Sequence, residues 1–386
     1  MNLVAIKMLI GDKAKYIGII VGLTFASLLL TQQASIFVGL MTRTFGFITD
    51  TSLPDIWVMD PKVQFVDDIK PLQDTQLLRV RGIEGVEWAT PLYKGLLKAR
   101  LDNGNFQTCN VIGLDDSTLI GGPPEMREGR LEDLRRADSV IVDEVGANGR
   151  LAKQPARKGD PPIPLKVGDT LELNDNRAVV VGICRVSRTF QSQPVLYTTY
   201  TRATTFAPRE RKLLSFILVK AKPGVAPRAL CERILQTTGL AAFTGDEFKT
   251  ITYKYFIKYT GIPINFGIAV TLGFVVGAVI AGQMFYSFTL DNLRHFGTLK
   301  AMGAGNLTLL RMVIVQSVLV GCVGYGMGVG AASLVPILSS GSELAFRMTW
   351  HIPAVVGGAI VLICVLSAVL SVLKVFRLEP AIVFKG

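Results

Sequence analysis

The sequence predicts an α-helical membrane protein with four transmembrane helices in a one-plus-three order and a large α+β domain inserted between helices 1 and 2. Of its 386 residues, 49% are hydrophobic and only 18% are charged, so much of the chain is expected to lie in lipid. The apolar residues form four runs without an acidic residue: Ile17 to Leu40, Ile262 to Phe288, Leu309 to Leu338, and Ile352 to Val375. Because about 20 helical residues cross a bilayer core, each run is long enough to span it.

These runs divide the chain into three parts. Residues 1–43 are expected to hold a cytoplasmic amphipathic segment and the first span, residues 44–260 the inserted domain, and residues 261–386 three spans with a short C-terminus. The first run is longer than the roughly 7 to 15 apolar residues of a signal peptide, and no clear small-x-small cleavage site follows it. We therefore expect a retained anchor rather than a cleaved leader.

The positive charges indicate which ends of the spans face the cytoplasm. Residues 44–258 hold 30 Lys or Arg against 26 Asp or Glu, a net of +4, whereas the rest of the chain holds 11 against 4, a net of +7. Nine of these positives flank the spans on one side: Lys7, Lys13, Lys15, Arg294, Lys300, Arg311, Lys374, Arg377 and Lys385. The positive-inside rule then predicts both termini and the 289–308 turn in the cytoplasm, and the inserted domain outside. Nucleic acid is not expected as a partner, because the soluble part carries little of the positive charge.

The inserted domain shows strand and helix signals that predict its α+β class. Residues 44–52 are expected to continue the first span as a helix until Pro54, and the Asp102-Asn103-Gly104 sequence is a hairpin turn signal. Strands are predicted at 55–60, 92–101, 106–114, 139–142, 170–173, 178–184 and 213–220, and helices at 72–80 and 227–236. A more β-rich middle subdomain is predicted at about residues 100–190.

Small residues recur in the spans at the spacing of close helix packing. In the second and third spans three GxxxG pairs occur: Gly273 with Gly277, Gly324 with Gly328, and Gly326 with Gly330. Such pairs let two helix backbones approach closely, either within one chain or across a dimer, and the sequence leaves both open. No Asp, Glu, Lys or Arg lies in the middle of a span, although ion and proton pathways are marked by such residues. An ion-coupled carrier is therefore a poor candidate.

Residues suited to catalysis form no recognisable constellation. The two histidines, His295 and His351, fall on opposite sides of the membrane in this topology, and no Gly-x-Ser-x-Gly or His-Glu-x-x-His motif occurs. Three acidic pairs are interpreted as solvated turns: Asp67-Asp68, Asp115-Asp116 and Asp143-Glu144. We expect no catalytic residue and no residue that binds a cofactor.

The cysteines point to neither a metal nor a redox site. Cys109, Cys184 and Cys231 fall in the inserted domain, where their odd number allows at most one disulfide and leaves open whether any pair forms. Cys322 and Cys364 lie in spans, and no CxxC spacing exists. We expect no metal ligand.

The turn between the second and third spans carries the most specific motif of the chain. Apolar residues recur there every three positions, at Leu290, Leu293, Phe296, Leu299 and Met302, which indicates one apolar strip along a short helix at the membrane surface. The residues Arg294, Phe296, Gly297, Leu299, Lys300, Ala301, Met302, Gly303 and Ala304 resemble, in order, the Arg-Glu-Ile-Gly-x-x-Lys-Ala-x-Gly-Ala turn of the FtsX/MacB superfamily of ABC transporter membrane subunits. His295 stands where the family usually has Glu.

Other parts of the chain share this resemblance. The Leu378-Glu379-Pro380 sequence is similar to the family's Leu-x-Pro after the last span. Three segments resemble its periplasmic core domain: Glu128 to Arg130, Ser139 to Val142 and Val167 to Asp169. The length and the segment Pro91 to Gly95 are most similar to the DevC-type permeases, which have no fused ATPase domain.

The resemblance implies a non-catalytic permease subunit of a mechanotransmission-type exporter, working as a homodimer in the cytoplasmic (inner) membrane. No Gly-x-x-x-x-Gly-Lys motif is present, so ATP and Mg are expected on a separate ABC ATPase. In the family the turn after the second span is a coupling helix seated on that ATPase. The coupling residues implied here are Arg294, Phe296, Gly297, Leu299, Lys300, Ala301, Met302 and Gly303, with Phe296, Leu299 and Met302 as apolar contacts. Val4 to Ile10 is expected as a second amphipathic element on the same face.

The resemblance also implies partners outside the membrane. DevC-like permeases are associated with a membrane-fusion adaptor and an outer-membrane channel, which together form a tripartite exporter. Two alternatives keep the fold and change its output: lipoprotein release, or FtsX-like regulation of a periplasmic hydrolase. The cargo, whether lipid, glycolipid, peptide or small drug, is left open.

Overall fold

The computed structural model describes residues 2–155, 161–208, 214–338 and 344–376. The chain divides into two compact units, one formed by Met1–Leu40 with Gly261–Gly386 and the other by Met41–Thr260. We call the first the membrane unit and the second the external unit. The Leu-x-Pro motif at 378–380 and the basic residues Arg377 and Lys385 lie outside the described residues.

The elements of the described chain run from the membrane unit into the external unit and back into the membrane unit. In chain order the helices are α1 (Asn2–Gly11), α2 (Lys13–Thr44), α3 (Gly46–Asp50), α4 (Asp74–Arg81), α5 (Glu144–Asn148), α6 (Tyr200–Phe206), α7 (Pro227–Thr238), α8 (Gly245–Tyr259), α9 (Ile262–Asp291), α10 (Leu293–Ala301), α11 (Asn306–Leu338) and α12 (His351–Phe376). The strands are β1 (Ile56–Met59), β2 (Val86–Arg100), β3 (Phe106–Leu114), β4 (Glu125–Glu128), β5 (Ser139–Asp143), β6 (Thr170–Leu173), β7 (Asn176–Arg185), β8 (Val195–Thr199), β9 (Phe216–Ala221) and β10 (Ala241–Thr244).

Four helices of the described chain are long and apolar enough to cross a membrane, namely α2, α9, α11 and α12. Each has its backbone hydrogen bonds within the helix, which is what a segment surrounded by hydrocarbon requires. The α+β unit is inserted between the first and the second of them. The predicted fold class, four spans in a one-plus-three order around an inserted α+β domain, is confirmed.

The glycines of the spans bring α2 close to α9 and α11 within this chain. A Cβ built on Gly277 would lie 2.5 Å from the Cβ of Ala26, and one on Gly328 would lie 2.5 Å from the Cβ of Ser27. Gly324 similarly meets Leu23 at 2.8 Å, and Gly273 meets the Cβ of Leu29 at 3.6 Å. These contacts leave no room for a larger side chain at Gly277, Gly324 or Gly328.

The third GxxxG pair has a different environment. Gly326 and Gly330 lie on the outward side of α11, and a Cβ built on either would meet no atom within 4 Å. The sequence left open whether these pairs pack within one chain or across a dimer. Gly324 and Gly328 pack closely within this chain, whereas Gly326 and Gly330 do not take part in that packing.

The first lobe of the external unit has the strand order β10-β1-β9-β2, and every neighbouring pair is antiparallel. In the chain these strands occur as β1-α4-β2 and β9-α7-β10, which is the βαββαβ arrangement of a split βαβ motif. Helices α4 and α7 cover one face, where Val80, Leu230 and Ile234 are buried. Trp57, on the opposite face, lies between Phe216 and Phe248, with ring centroids 5.6 and 5.7 Å away.

The second lobe continues the same sheet in the order β2-β3-β8-β5-β7-β4, with β6 paired to β2 and β7. The 15-residue strand β2 joins the two lobes, because it pairs with β9 from Val86 to Leu92 and with β3 from Tyr93 to Arg100. The predicted hairpin at Asp102-Asn103-Gly104 is confirmed, since Arg100 is paired with Phe106 on either side of it.

Glycine is required where strand β4 ends. Gly129 has φ +73°, and a Cβ built on it would lie 2.3 Å from the carbonyl oxygen of Val181. A side chain at this position would be strained by the backbone conformation and would also collide with β7. The Glu128-Gly129-Arg130 segment, which resembles the family's core domain, is therefore a tight exit from the sheet.

Several elements differ from the sequence prediction. Strands β4, β8 and β10 and helix α8 were not predicted; β8 is buried along its whole length, so its residues do not alternate between apolar and polar. Helix α8 is rich in β-branched and aromatic residues, which obscure a helical pattern. The helix expected to continue from the first span to Pro54 is interrupted at Phe45, where φ is −121° and ψ is 12°, and α3 follows as a separate helix.

We predict that Gly328→Val destabilises the membrane unit by about 1 to 3 kcal/mol, because the new side chain collides with Ser27 on α2. The matched control is Gly326→Val on the same helix, where a Cβ meets no atom within 4 Å and the expected change is within about 0.5 kcal/mol. Thermal unfolding of the purified chain in detergent measures both. A larger loss at Gly326 than at Gly328 would contradict the packing described here.

A second prediction concerns the capping box that begins α8. The Thr244 backbone N–H donates to Glu247 Oε2 at 3.0 Å. This hydrogen bond, together with the Thr244 hydroxyl and the nearby Arg228 guanidinium, stabilises the carboxylate. These contacts outweigh burial and hold the pKa of Glu247 below its ordinary value of 4.5. A carboxylate with a depressed folded pKa stabilises the fold above its unfolded pKa and loses that contribution as the pH falls through the folded value. Glu247→Gln is therefore expected to lower the unfolding temperature at pH 7.

The same difference is expected to vanish in acid, once Glu247 is protonated and resembles Gln. Trp57 reports the transition, since its ring lies 5.7 Å from that of Phe248 on α8 and its fluorescence follows unfolding of this core. Glu87→Gln, at an exposed position on β2, is the control and is expected to have no effect. If the gap between wild type and Glu247→Gln does not begin to narrow as the pH falls below 4.5, the assignment of the charge is wrong.

Candidate functional site

The two ends of the short helix α10 are fixed by a cap residue that it shares with α9 and by a glycine. Asn292 is both the last cap of α9 and the first cap of α10, and its side-chain amide donates to the carbonyl oxygen of Phe288 at 2.9 Å. At the other end Met302 caps α10, and Gly303 has φ +96°, so the Ala304 N–H returns to the carbonyl oxygen of Leu299 at 3.0 Å. This left-handed glycine ends the helix after about two and a half turns.

Helix α10 has one buried and one exposed face. Phe296 and Gly297 are buried, Leu299 and Lys300 are half-buried, and the exposed residues are Arg294, His295, Thr298, Ala301, Met302 and Gly303. Met302 is 71% exposed, whereas Phe296 is fully buried. The expectation of one continuous apolar strip through Phe296 and Met302 is therefore wrong. Each helical residue advances about 100°, so a step of three residues drifts by about 60°. The six steps from Phe296 to Met302 therefore leave the two side chains about 120° apart.

Phe296 joins α10 to three other helices of the membrane unit. It belongs to a buried cluster whose members are Ala5 of α1, Leu309, Met312 and Val313 of α11, and Ala368 and Val372 of α12. Leu299 and Ala304 pack against this cluster from its edge. A displacement of α10 therefore meets α1, α11 and α12 directly, because a close-packed cluster transmits strain between its members.

Helix α1 is held to α11 by a buried side-chain hydrogen bond. The Gln316 amide donates from Nε2 to the carbonyl oxygen of Ala5 at 2.6 Å, and Gln316 is fully buried. In the sequence, Gln316 is a polar residue inside the third apolar run. This hydrogen bond could have been anticipated, because a polar side chain inside an apolar span needs a hydrogen-bond partner there.

An ion pair joins the start of α2 to the end of α9. Lys15, near the start of α2, pairs with Asp291, the last residue of α9, and also lies 3.4 Å from Asp12. Because the carboxylate of Asp291 is 61% exposed, this pair orients the helix ends more than it stabilises them.

The acidic pairs of the external unit serve as local structural acceptors. Asp67 pairs with the amine of Lys94, a buried residue of β2, and Asp68 lies 2.8 Å from the amine of Lys70. Asp116 accepts from the backbone N–H and the hydroxyl of Thr201 at 3.2 and 3.0 Å. The neighbouring Asp115 accepts hydrogen bonds from Ser117 and Thr118. Burial raises the pKa of Asp115, but these hydrogen bonds outweigh burial and hold the pKa below its ordinary value.

Asp143 differs from the solvated position that the sequence indicated. It is buried, and it caps α5 by accepting from the Gly146 N–H at 2.9 Å and holds β8 by accepting from the Val195 N–H at 2.7 Å. Burial raises its pKa, and the hydrogen bonds from Val195 and Gly146 oppose that rise. The need to cap a helix beside a buried strand explains a carboxylate here without a catalytic role.

The cysteines of the external unit are free thiols in this structure. Cys109, Cys184 and Cys231 are buried, and burial raises the pKa of Cys109 and of Cys231 to about 12. Thiols with raised pKa values are poor nucleophiles. Over the described ranges, no group of three or more His, Cys, Asp or Glu residues is arranged to hold a metal ion.

Two family models match this chain. Residues 17–237, more than half of the chain, match the MacB-like periplasmic core domain, and residues 267–380 match the FtsX-like permease C-terminal domain. The second match contains α10 and the predicted coupling residues. The DevC-type subfamily stays a prediction.

Two curated relatives cover most of this chain at low identity. The macrolide export ATP-binding/permease protein MacB of Shewanella oneidensis is 22% identical over 320 residues, which are 81% of this chain and 48% of MacB. An uncharacterized ABC transporter permease of Mycobacterium tuberculosis is 23% identical over 318 residues, which are 82% of this chain and 80% of that protein. The chain thus spans about half the length of the first relative and four fifths of the second.

Solved structures of related domains align with parts of the chain. The periplasmic region of MacB from Actinobacillus actinomycetemcomitans is 17% identical, with a TM-score of 0.37, over 53% of this chain and 94% of that one. The extracellular domain of the transporter YknZ from Gram-positive bacteria is 12% identical, with a TM-score of 0.34, over 50% of this chain and 98% of that one. Because one family model matches more than half of the chain and the other most of its last three spans, the chain belongs to the FtsX/MacB family of ABC transporter permeases.

Proposed function

We propose that this chain is the membrane subunit of a mechanotransmission-type ABC exporter, in which a separate ATPase hydrolyses ATP and the movement reaches the external unit. The observation that carries the proposal is the two-sided structure of α10. Its Phe296 is fully buried in a cluster with α1, α11 and α12, while Arg294, His295 and Met302 face outward. A helix anchored on one side and open on the other is suited to pass a partner's movement into the bundle.

The residues assigned to the ATPase contact change with this structure. Met302 and the exposed side chains Arg294 and His295 form the outward surface, and Leu307, which is 80% exposed just after α10, extends it. Phe296 is assigned the role of anchor rather than partner contact, since its ring is not accessible. Gly303 sets the end of the helix and thereby the position of Met302.

The relatives support export as the direction of work. MacB of Shewanella oneidensis is described as a macrolide export ATP-binding/permease protein, and we assign this chain the permease part and a partner subunit the ATP-binding part. We further propose a homodimer of this chain in the inner membrane, joined outside by a membrane-fusion adaptor and an outer-membrane channel. Lipoprotein release or hydrolase regulation would use the same coupling helix, and the external partners that co-purify distinguish these outputs.

The proposed orientation places both termini and α10 in the cytoplasm. The basic residues Lys13 and Lys15 at the start of α2, Arg294 and Lys300 on α10, and Arg311 near the start of α11 support it through the positive-inside rule. The external unit then faces the periplasm, where cargo is handled beside the membrane rather than between the spans.

We predict that Met302→Asp lowers ATPase co-purification at least about tenfold, because a desolvated contact that loses about 1.4 kcal/mol binds ten times more weakly. Met302 is 71% exposed, so the membrane unit itself is expected to remain folded. Leu78→Asp is the matched control, as Leu78 is 65% exposed on α4 of the external unit. Equal ATPase recovery with Met302→Asp and Leu78→Asp would exclude α10 as the docking surface.

A topology prediction follows from the same assignment. Alkaline phosphatase, which is active only outside the cytoplasm, is expected to be inactive when fused after Ala301 of α10 and active when inserted at Gly104. Gly104 lies at an exposed hairpin tip, where a Cβ would meet no atom within 4 Å, so the insertion does not disturb the sheet. Activity at Ala301 would reverse the proposed orientation.

A further inference from the structure

The segment between β7 and β8, residues 186–194, contacts α3, α8 and the last turn of α2. We call it the clasp segment. The Ser187 backbone N–H and hydroxyl donate to the two carboxylate oxygens of Asp50 on α3, at 2.7 and 2.8 Å. Arg43, on the last turn of α2, donates from Nη1 to the hydroxyl of Ser192 at 3.1 Å. The ring of Phe190 lies 4.9 Å from that of Phe256 on α8.

The contact between the clasp segment and α3 is close as well as hydrogen-bonded. Gly46 is the first residue of α3 and is buried, and a Cβ built on it would lie 2.8 Å from the Cβ of Ser187. Any larger residue at position 46 therefore displaces the clasp segment. The backbone of Gly46 has an ordinary negative φ, so Ala is allowed there by conformation and is opposed only by this contact.

The clasp segment is braced within itself. The Gln193 N–H donates to the Thr189 hydroxyl at 2.9 Å, and the Ser192 N–H donates to the carbonyl oxygen of Thr189 at 3.0 Å. A loop held by its own hydrogen bonds moves as one body more readily than it bends. A displacement at Ser187 or Ser192 is thus passed to both of its ends.

Those ends lead into the centre of the second lobe. Beyond Gln193, the carbonyl oxygen of Pro194 accepts from the Asn110 N–H of β3 at 2.8 Å. The next residue, Val195, donates to Asp143, which also caps α5. The clasp segment is therefore continuous with β3, β5 and α5 through β8.

From these contacts we propose that the clasp segment carries displacement of the end of α2, and of α3 and α8, into the second lobe of the external unit. Asp50, Ser187 and Gly46 are then positioning residues, which act through the lobe that they move. The inference rests on the proposed function, in which the ATPase moves the spans. It adds the residues through which that movement leaves the helices: two hydrogen bonds to Asp50, one from Arg43 and one ring contact at Phe256.

The first experiment tests the contact in the full-length chain alone, reconstituted in nanodiscs, by hydrogen exchange of residues 186–194. Asp50→Ala and Gly46→Ala are expected to accelerate exchange there about five- to tenfold, as loss of a hydrogen bond worth about 1 to 1.4 kcal/mol implies. Asp50→Asn, whose amide oxygen still accepts from the Ser187 N–H, is expected to restore most of the protection. Gly245→Ala is the matched control, since Gly245 is the first residue of α8 and a Cβ there meets no atom within 4 Å.

The second experiment tests transmission in the complex with the co-purified ATPase, by comparing exchange of residues 106–199 with ATP and with ADP. A nucleotide-dependent difference is expected in wild type, Asp50→Asn and Gly245→Ala, and its loss is expected in Asp50→Ala and Gly46→Ala while ATP hydrolysis continues. A merely structural role would not separate the nucleotide response from hydrolysis.

Each result supports or overturns the proposal. Unchanged exchange of residues 186–194 in Asp50→Ala overturns it at the contact, and a wild-type nucleotide response in Asp50→Ala overturns it at transmission. A wild-type complex without any nucleotide response overturns the proposed function, and with it the transmission role, whereas the exchange result on the chain alone still establishes the contact. The two failures are thus distinguishable.

Discussion

The membrane unit depends on how closely α2 packs against α9 and α11. Hydrocarbon provides no hydrophobic drive for helix association, so contact between backbones and small side chains has to stabilise the bundle. Gly277, Gly324 and Gly328 allow that contact, each with a neighbouring atom of α2 at the site where a Cβ would stand. The same closeness makes α2 sensitive to its neighbours. A shift of α9 or α11 cannot be absorbed at these glycines, and α2 has to follow.

Near the start of α11, helix packing depends on an aromatic ring rather than on glycines. Phe296 fills a cluster with residues from α1, α11 and α12, so the short helix α10 belongs to the bundle and is more than a loop between spans. The hydrogen bond from Gln316 to Ala5 fixes α1 in the same region. A partner that binds the outward side of α10 would therefore act on four helices at once, which is the physical basis of the coupling role proposed here.

In the external unit the comparable feature is strand β2, which belongs to both lobes. Its first half pairs with β9 in the βαββαβ lobe and its second half pairs with β3. A strand shared in this way restrains the two lobes at one line, while the clasp segment joins the second lobe to α2, α3 and α8 by separate contacts. The clasp contacts, a few hydrogen bonds and one ring contact, are more readily altered than the pairing of the shared strand.

Periodicity and charge alone determined the four spans, the position of the inserted domain and most of its strands, because apolar length and residue alternation are local properties that a bilayer or a sheet face selects directly. The hairpin at Asp102-Asn103-Gly104 followed from turn chemistry in the same way. Strand β8 and helix α8 did not, since the first is buried on all sides and the second contains many strand-forming residues. Their identity is decided by neighbours distant in sequence.

The candidate site was also predictable only in part from the sequence. The motif from Arg294 to Gly303 marked a functional helix, and its apolar content was plain from the sequence. Which of its apolar residues face the protein was decided only by tertiary structure, because Phe296 and Met302 point about 120° apart on a helix and the cluster accepts only the first. Likewise the sequence by itself determined that glycines recur in the spans at GxxxG spacing. Only the fold decided that Gly324 and Gly328 meet α2 while Gly326 and Gly330 meet nothing, since that depends on which side of α11 the neighbouring helix occupies.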